Sequence, residues 1–182
     1  MNNLSQVHFP ILQSERLVLR KLNLADADEV FFLRSDLKLG KFIVRKPQVN
    51  IKQAIDFINN SHDKFISNSA ISWAITVKDA DKLIGTISLH SFTEKNSVAE
   101  VGYDLNPKYQ KKGFMSEAIK LVVSYGFINL ELSKIEAFTQ IENISSNLLL
   151  KYNKFELHPT RTDPGFPKNV IFELFKDNYY KL

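Results

Sequence analysis

The sequence contains no cysteine in 182 residues. That excludes disulfides, thiolate metal sites and a cysteine nucleophile, and it fits a reducing compartment. Long apolar runs are missing too. Nothing approaches the roughly 20 residues that a membrane helix needs. The first residues, Met1 to His8, have neither the basic nor the apolar region of a signal peptide. A cytoplasmic location is therefore expected. Charge of one sign is scarce: the formal net charge is +4. So mild an excess suits an anionic small ligand. No dense basic run is interleaved with aromatics, so nucleic acid is not an expected partner. Glycine numbers only six, and there is no Gly/Ser linker, repeat or low-complexity tract. One domain over residues 1–182 is expected. His8, His62, His90 and His158 show no ligand spacing, and no metal is expected.

What is present is an ordinary core-forming composition. Apolar residues make up 44% of the chain and fourteen residues are phenylalanine. Leu12 to Leu22 reads as a strand by alternation. Asn23 comes next as an N-cap with acidic residues in the first turn, and a helix continues through Val30 and Leu33. Ser35 to Pro47 is irregular. Ile51 to Phe65 has helical spacing. Ser72–Val77 and Lys82–His90 form a predicted hairpin around Asp79–Asp81. Ser97 to Leu105 is a third strand, ended by Pro107. Ser116–Asn129 is a helix, Lys134–Gln140 a strand, Asn143–Asn153 a helix, His158–Asn169 a loop, and Val170–Lys176 the last strand. Hairpin-linked strands succeeded by crossovers imply an α/β fold with a mixed sheet covered by helices.

The chemistry concentrates around residues 104 to 116. A strand ends at Leu105, and Gln110-Lys-Lys-Gly-Phe-Met115 leads straight into a helix. The first N–H groups of a helix lack internal partners, and with the helix dipole they make an anion site. Gly113, without a Cβ, allows close approach of a phosphate. Lys111 and Lys112 add positive charge. A pyrophosphate fits this arrangement. A plain strand-turn-helix with solvated lysines fits it as well. Neither a Walker loop nor a dinucleotide glycine triplet is present.

The ordered set of motifs resembles the GNAT superfamily of acetyltransferases, in the branch containing the ribosomal-protein N-terminal acetyltransferases RimJ and RimL. Gln110, Gly113 and Met115 match the family's phosphate loop, with Met115 in place of a small residue. Glu117-Ala118 comes after it, as in the branch. Ala99 to Pro107 looks like the strand before that loop, and Ser14 to Arg20 like the N-terminal strand. Asn143, Ser146, Leu149-Leu150 and Phe155 look like its Asn-x-x-Ser helix, with Lys154 where the family usually has glycine.

The resemblance implies a central, mostly antiparallel sheet with two splayed parallel strands and about four flanking helices. It implies acetyl-CoA as co-substrate. The pantetheine would lie near Asp104, Leu105 and Asn106, and the pyrophosphate on Gln110, Lys111, Lys112, Gly113, Phe114, Met115 and Ser116, with Asn143 also contacting CoA. Glu100 is the implied base and Ser146 the implied proton donor to the leaving thiolate. A structural carboxylate remains an open reading for Glu100, and helix capping for Asn143 and Ser146. Some family members carry a tyrosine seven residues after the asparagine; here that position is Leu150. Phe31, Phe32 and Phe42 belong either to the core or to an acceptor pocket, and Trp73 to the core. The implied acceptor is a primary amine: a protein N-terminus or a small molecule. The variable segments 34–50 and 156–169 would shape its pocket. The competing reading is a catalytically weak acyl-CoA-binding module. A monomer or homodimer is expected.

Overall fold

In the computed structural model, which describes residues 8–43, 45–93 and 97–179, alternating apolar residues build one eight-stranded sheet. Its strands are β1 (Leu12–Gln13), β2 (Leu17–Lys21), β3 (Ala70–Val77), β4 (Ala80–His90), β5 (Val98–Leu105), β6 (Lys134–Gln140), β7 (Glu156–Leu157) and β8 (Asn169–Phe175). The spatial order is β1-β2-β3-β4-β5-β6-β8-β7. Every pairing is antiparallel except β5 with β6.

The expected continuous strand from Leu12 to Leu22 is two strands. The Ser14 hydroxyl accepts from the Leu17 N–H at 3.1 Å, and the Ser14 N–H donates to the Leu17 carbonyl at 3.0 Å. That local turn folds Leu12 back onto Leu19. Side-chain alternation cannot register such a turn, because its cause is a hydroxyl competing with the ladder. The two-residue β7, just ahead of the predicted loop, also went unread.

Helices α1 (Ala27–Ser35), α2 (Ile51–Ile66), α3 (Phe114–Ile128) and α4 (Ile144–Tyr152) are the four expected, and a short α5 (Lys176–Tyr179) comes after β8. Asn23 and Asp26 form a reciprocal capping box in the 3-10 turn before α1. The Asn50 side chain caps α2 by accepting from the Gln53 N–H at 3.1 Å.

Strand periodicity sorts the two faces of the sheet. Trp73 and Ile75 of β3 join the larger core with Ala118, Ile119, Val122 and Phe127 of α3. Ala74, between them, packs instead with Val30, Leu33, Ala54 and Ile58 of α1 and α2. Trp73 is fully buried, as expected, and its indole N–H donates to the Pro10 carbonyl at 2.8 Å. At that same residue parity, β4 and β5 place a polar row on the α1–α2 face: His90 opposite Glu100, Ser88 opposite Gly102, Thr86 opposite Asp104.

Candidate active site

Parallel pairing of β5 with β6 covers only Val98–Lys134, Ala99–Ile135 and Glu100–Glu136. Beyond Glu100 the two strands diverge, so this is the splay that the resemblance implied. Two cavities open around it. One, of about 1260 Å³, runs along the end of β5, the loop after it and helices α3 and α4. The other, of about 710 Å³, lies on the polar row under α1 and α2. Phe42, Ile43, Tyr103, Asp104, Asn143 and Ser146 line both.

The larger cavity gathers main-chain donors and positive charge. Gly113 is the N-cap of α3 in left-handed conformation, φ 82°, and provides no capping side chain. Lys111 is also left-handed, φ 59°. Alternation into that region turns successive N–H groups toward a common concavity. Among the described residues, no N–H from Lys111 to Ser116 has a main-chain acceptor. These unsatisfied donors, together with Lys111 and Lys120 on the wall, fit a pyrophosphate. A Cβ added at Gly113 would lie 3.3 Å from Arg16 Nη2.

The loop is braced from outside. Gln110 Nε2 donates to the Leu105 carbonyl at 3.0 Å. Glu117 accepts from the Ser14 hydroxyl at 2.5 Å and from Arg16 Nε at 2.7 Å. Burial pushes the Glu117 carboxyl up, but these hydrogen bonds outweigh it and hold the group below its ordinary value. Arg16 also donates to the Lys112 carbonyl at 3.1 Å. N-terminal strand, loop and helix are thus locked together, which gives Glu117 and Arg16 a role that motif reading left unstated.

Placement of the remaining expected cofactor residues is uneven. Asp104, Leu105, Gln110, Lys111, Gly113, Phe114, Met115, Ser116 and Asn143 line the larger cavity; Asn106 and Lys112 do not. The Asn106 side chain caps Lys108 N–H at 3.0 Å. Lys112 Nζ sits 5.8 Å from the Tyr109 ring centre. Met115 is buried in the core, so only its backbone is available to a ligand. The Ser116 hydroxyl turns inward to Asn153 Oδ1 at 2.9 Å.

At the junction of the cavities, Tyr103 Oη and Ser146 Oγ are 2.8 Å apart. Burial pushes the Tyr103 phenol up to about 12, against the Ser146 hydrogen bond, so it stays protonated at physiological pH. Asn143 caps α4, accepting from the Ser146 N–H at 3.3 Å. Capping and site lining therefore coexist in Asn143. Leu150 is fully buried. With no tyrosine on α4, the phenol at this junction comes from Tyr103 of β5, which sequence reading missed. Alternation puts Tyr103 opposite in parity to Glu100, on the core side, and only the splay leaves its hydroxyl accessible.

Glu100 lines the smaller cavity and not the larger one. Burial first, then the charges of Asp163 and Glu136, raise its pKa to about 7, with a Ser91 hydrogen bond opposing. His90 Nδ1 lies 3.8 Å from its carboxylate. Both variable segments contribute walls: Arg34, Phe42, Ile43 and Arg45 from one, Asp163 and Phe166 from the other. Of the three phenylalanines left open, Phe42 lines the cavities, Phe31 packs on the α1–α2 core, and Phe32 is exposed. Glu136 holds the second segment in place through Arg161, whose Nη2 lies 3.0 Å from Glu136 Oε2.

Residues 16–156 match the acetyltransferase (GNAT) domain. The chain belongs to the GNAT acetyltransferase family. An uncharacterised N-acetyltransferase, p20, of Bacillus licheniformis is 38% identical over 164 residues, covering 90% of this chain and 92% of that protein. Two solved structures share the fold. One is RimL, a ribosomal L7/L12 alpha-N-protein acetyltransferase in complex with coenzyme A, with TM-score 0.79, 18% identity, and 93% and 99% of the two chains covered. The other is spermidine N-acetyltransferase from Vibrio cholerae with CoA and spermine, with TM-score 0.78, 19% identity, and 92% and 99% covered. This GNAT protein is an acetyl-CoA-dependent N-acetyltransferase. Among its described residues, no group of three or more His, Asp or Glu is placed to hold a metal, and no helix is long and apolar enough to cross a membrane.

Proposed function

We propose that acetyl-CoA occupies the larger cavity and the amine acceptor the smaller, and that transfer happens where they meet at Tyr103 and Ser146. The observation that carries this reading is the hydroxyl pair at 2.8 Å in the wall common to both cavities. Glu100, raised to about 7, accepts the proton of the attacking amine at neutral pH, where a base poised near the working pH is most effective. The nitrogen lone pair forms the new N–C bond as the C–S bond breaks. Ser146 passes its proton to the departing sulfur and is reprotonated from solvent through the Tyr103 hydroxyl, while Glu100 releases the amine's proton to solvent, so that the net proton transfer is from amine to thiol. Holding both reactants in line supplies a large share of the rate, up to about 7–11 kcal/mol in well-oriented systems.

The acceptor is a primary amine, on a protein N-terminus or on a small molecule. The RimL and spermidine enzymes, named for those two classes, share this fold. The protein works in the cytoplasm as one acetyltransferase domain, as a monomer or homodimer. The test is release of free CoA thiol from acetyl-CoA with a panel of N-terminal peptides, amino acids and polyamines. Turnover with one class supports the reading. Tight acetyl-CoA binding without turnover on any amine would instead establish an acyl-CoA-binding module.

A further inference from the structure

The acceptor cavity has a charge arrangement that amine acetylation alone does not require. Asp104, on the polar row of β5, faces two guanidinium groups. Arg45 takes both of its oxygens, Nη1 at 2.6 Å and Nη2 at 3.4 Å, and Nη2 also donates to the Leu33 carbonyl at 3.0 Å. Arg34 is left over. Its Nη1 lies 4.0 Å from Asp104, beyond hydrogen-bond reach. It makes no side-chain hydrogen bond among the described residues, and its Nε, like that of Arg45, is buried without a partner.

Burying even one guanidinium N–H without an acceptor is costly, and the Arg34 Nε is buried in that way. Yet the group is held firmly: the Phe57 ring supports its plane, with Cζ 4.0 Å from the ring centre. Burial, and then the charge of Arg45, lower the Arg34 pKa to about 10 against the pull of Asp104, as befits a desolvated cation with too little counter-charge. Two cations share one carboxylate on the wall of a cavity, which leaves an excess of positive charge there.

The opposite end of the cavity has a different character. Glu100 and Asp163 line it, with His90 and the exposed Lys64 nearby. Glu100 and Asp104 are four residues apart on one strand face, about 13 Å at the usual rise. An extended acceptor can place its amine toward Glu100 and an anionic group toward Arg34.

We propose that Arg34, supported by Arg45 and Phe57, binds a carboxylate of the acceptor, so that the substrate is an extended amine bearing an acidic group, such as a peptide, and not a polyamine. This rests on the acetyl-transfer reading above. A polycationic acceptor would meet the excess positive charge of Arg34 and Arg45 and be repelled.

The experiment compares kcat/KM for matched acceptors differing only in carboxylate against carboxamide: the peptide amides Ser-Asp-Ala-Ala and Ser-Asn-Ala-Ala, and an alanine tetrapeptide with a free or amidated C-terminus, with spermidine as cationic control. The wild type is expected to favour the acidic member of at least one pair about ten-fold or more, as a charge-assisted contact would give. Arg34→Met, which keeps an apolar stem on Phe57, is expected to bring that ratio close to one, and Arg34→Lys to keep part of it. Acetyl-CoA binding by calorimetry reports folding of each variant; if Arg34→Met does not fold, the wild-type and Arg34→Lys ratios decide. Equal or better rates with the amides in both pairs, faster acetylation of spermidine than of every acidic peptide, or a ratio unchanged in Arg34→Met would overturn the proposal. Acetyl-CoA binding with no acetylation of any amine would instead bring down the transfer reading, and this inference with it.

Discussion

Replacing Glu100 by glutamine should remove activity and add stability, each in a defined pH window. In the folded protein, burial and the neighbouring carboxylates of Asp163 and Glu136 move this carboxyl from its ordinary 4.5 to about 7. Below 4.5 the group is protonated in folded and unfolded chains alike, and nothing distinguishes them. Between 4.5 and about 7 the folded protein keeps a proton that the unfolded chain has lost, so stability falls as pH rises. Above about 7 the full cost of a buried carboxylate is present. At 1.36 kcal/mol per pH unit that cost is at most about 3 kcal/mol. The side chain keeps 28% of its exposure, so about 1–2 kcal/mol is the expected share. The amide of the Glu100→Gln variant does not titrate. Relative to wild type, the variant should therefore gain about 2–8 °C in melting temperature between pH 5 and pH 8, at roughly 2–4 °C per kcal/mol for a chain of this size. Scanning calorimetry at several pH values reads this directly. In parallel, wild-type kcat/KM should rise through an acidic limb near pH 7, and the variant should lose that limb along with about 10²–10⁴ of its rate. A melting difference that does not change with pH, or an acidic limb surviving in the variant, would refute the reasoning.

Three further sets of substitutions probe other parts of the account. Gly113→Ala places a Cβ on a residue at φ 82°, 3.3 Å from Arg16 Nη2; it should lose about 1–2 kcal/mol of stability and weaken acetyl-CoA binding in calorimetry, and an unchanged Kd would contradict the loop assignment. Tyr103→Phe and Ser146→Ala should each lower kcat with little change in KM for acetyl-CoA, and the double variant should lose less than the two combined, because the hydroxyls act as one unit; strictly additive losses would separate them. Lys154→Gly relieves a left-handed residue at φ 68°, and should raise the melting temperature by about 1–4 °C, for a net gain of about 0.5–1 kcal/mol once the added freedom of the unfolded chain is counted; kcat is the internal control.

How much of this was legible in the sequence depended on which atoms do the work. Backbone chemistry was readable: Gly113 before an apolar-periodic helix announces free N–H groups, and the structure has them. Capping was readable at Asn23 and Asn143, each of which caps the helical turn that begins after it. Side-chain direction was not. Ser116 and Met115 stand in the loop proposed to hold the pyrophosphate, yet both turn their side chains inward, because a helix aims its first turn by packing and not by motif. Tyr103 was hidden for the converse reason: its residue parity assigns it to the core, and its access to the site depends on β5 and β6 parting after Glu100. Arg34 precedes an irregular segment and Arg45 lies within it, and they approach Asp104 from about seventy and about sixty residues away. No local pattern records a contact of that range.

The measurement that bears most directly on the account is a crystal structure with a bisubstrate analogue, CoA joined through its sulfur to an amine acceptor. The expected result has the pyrophosphate on the N–H groups of Lys111 to Ser116, the sulfur within hydrogen-bond reach of Ser146 Oγ, and the acceptor nitrogen in the cavity walled by Glu100. A sulfur remote from the Tyr103–Ser146 pair, with Glu100 and Ser146 both turned away from the linked atoms, would contradict it.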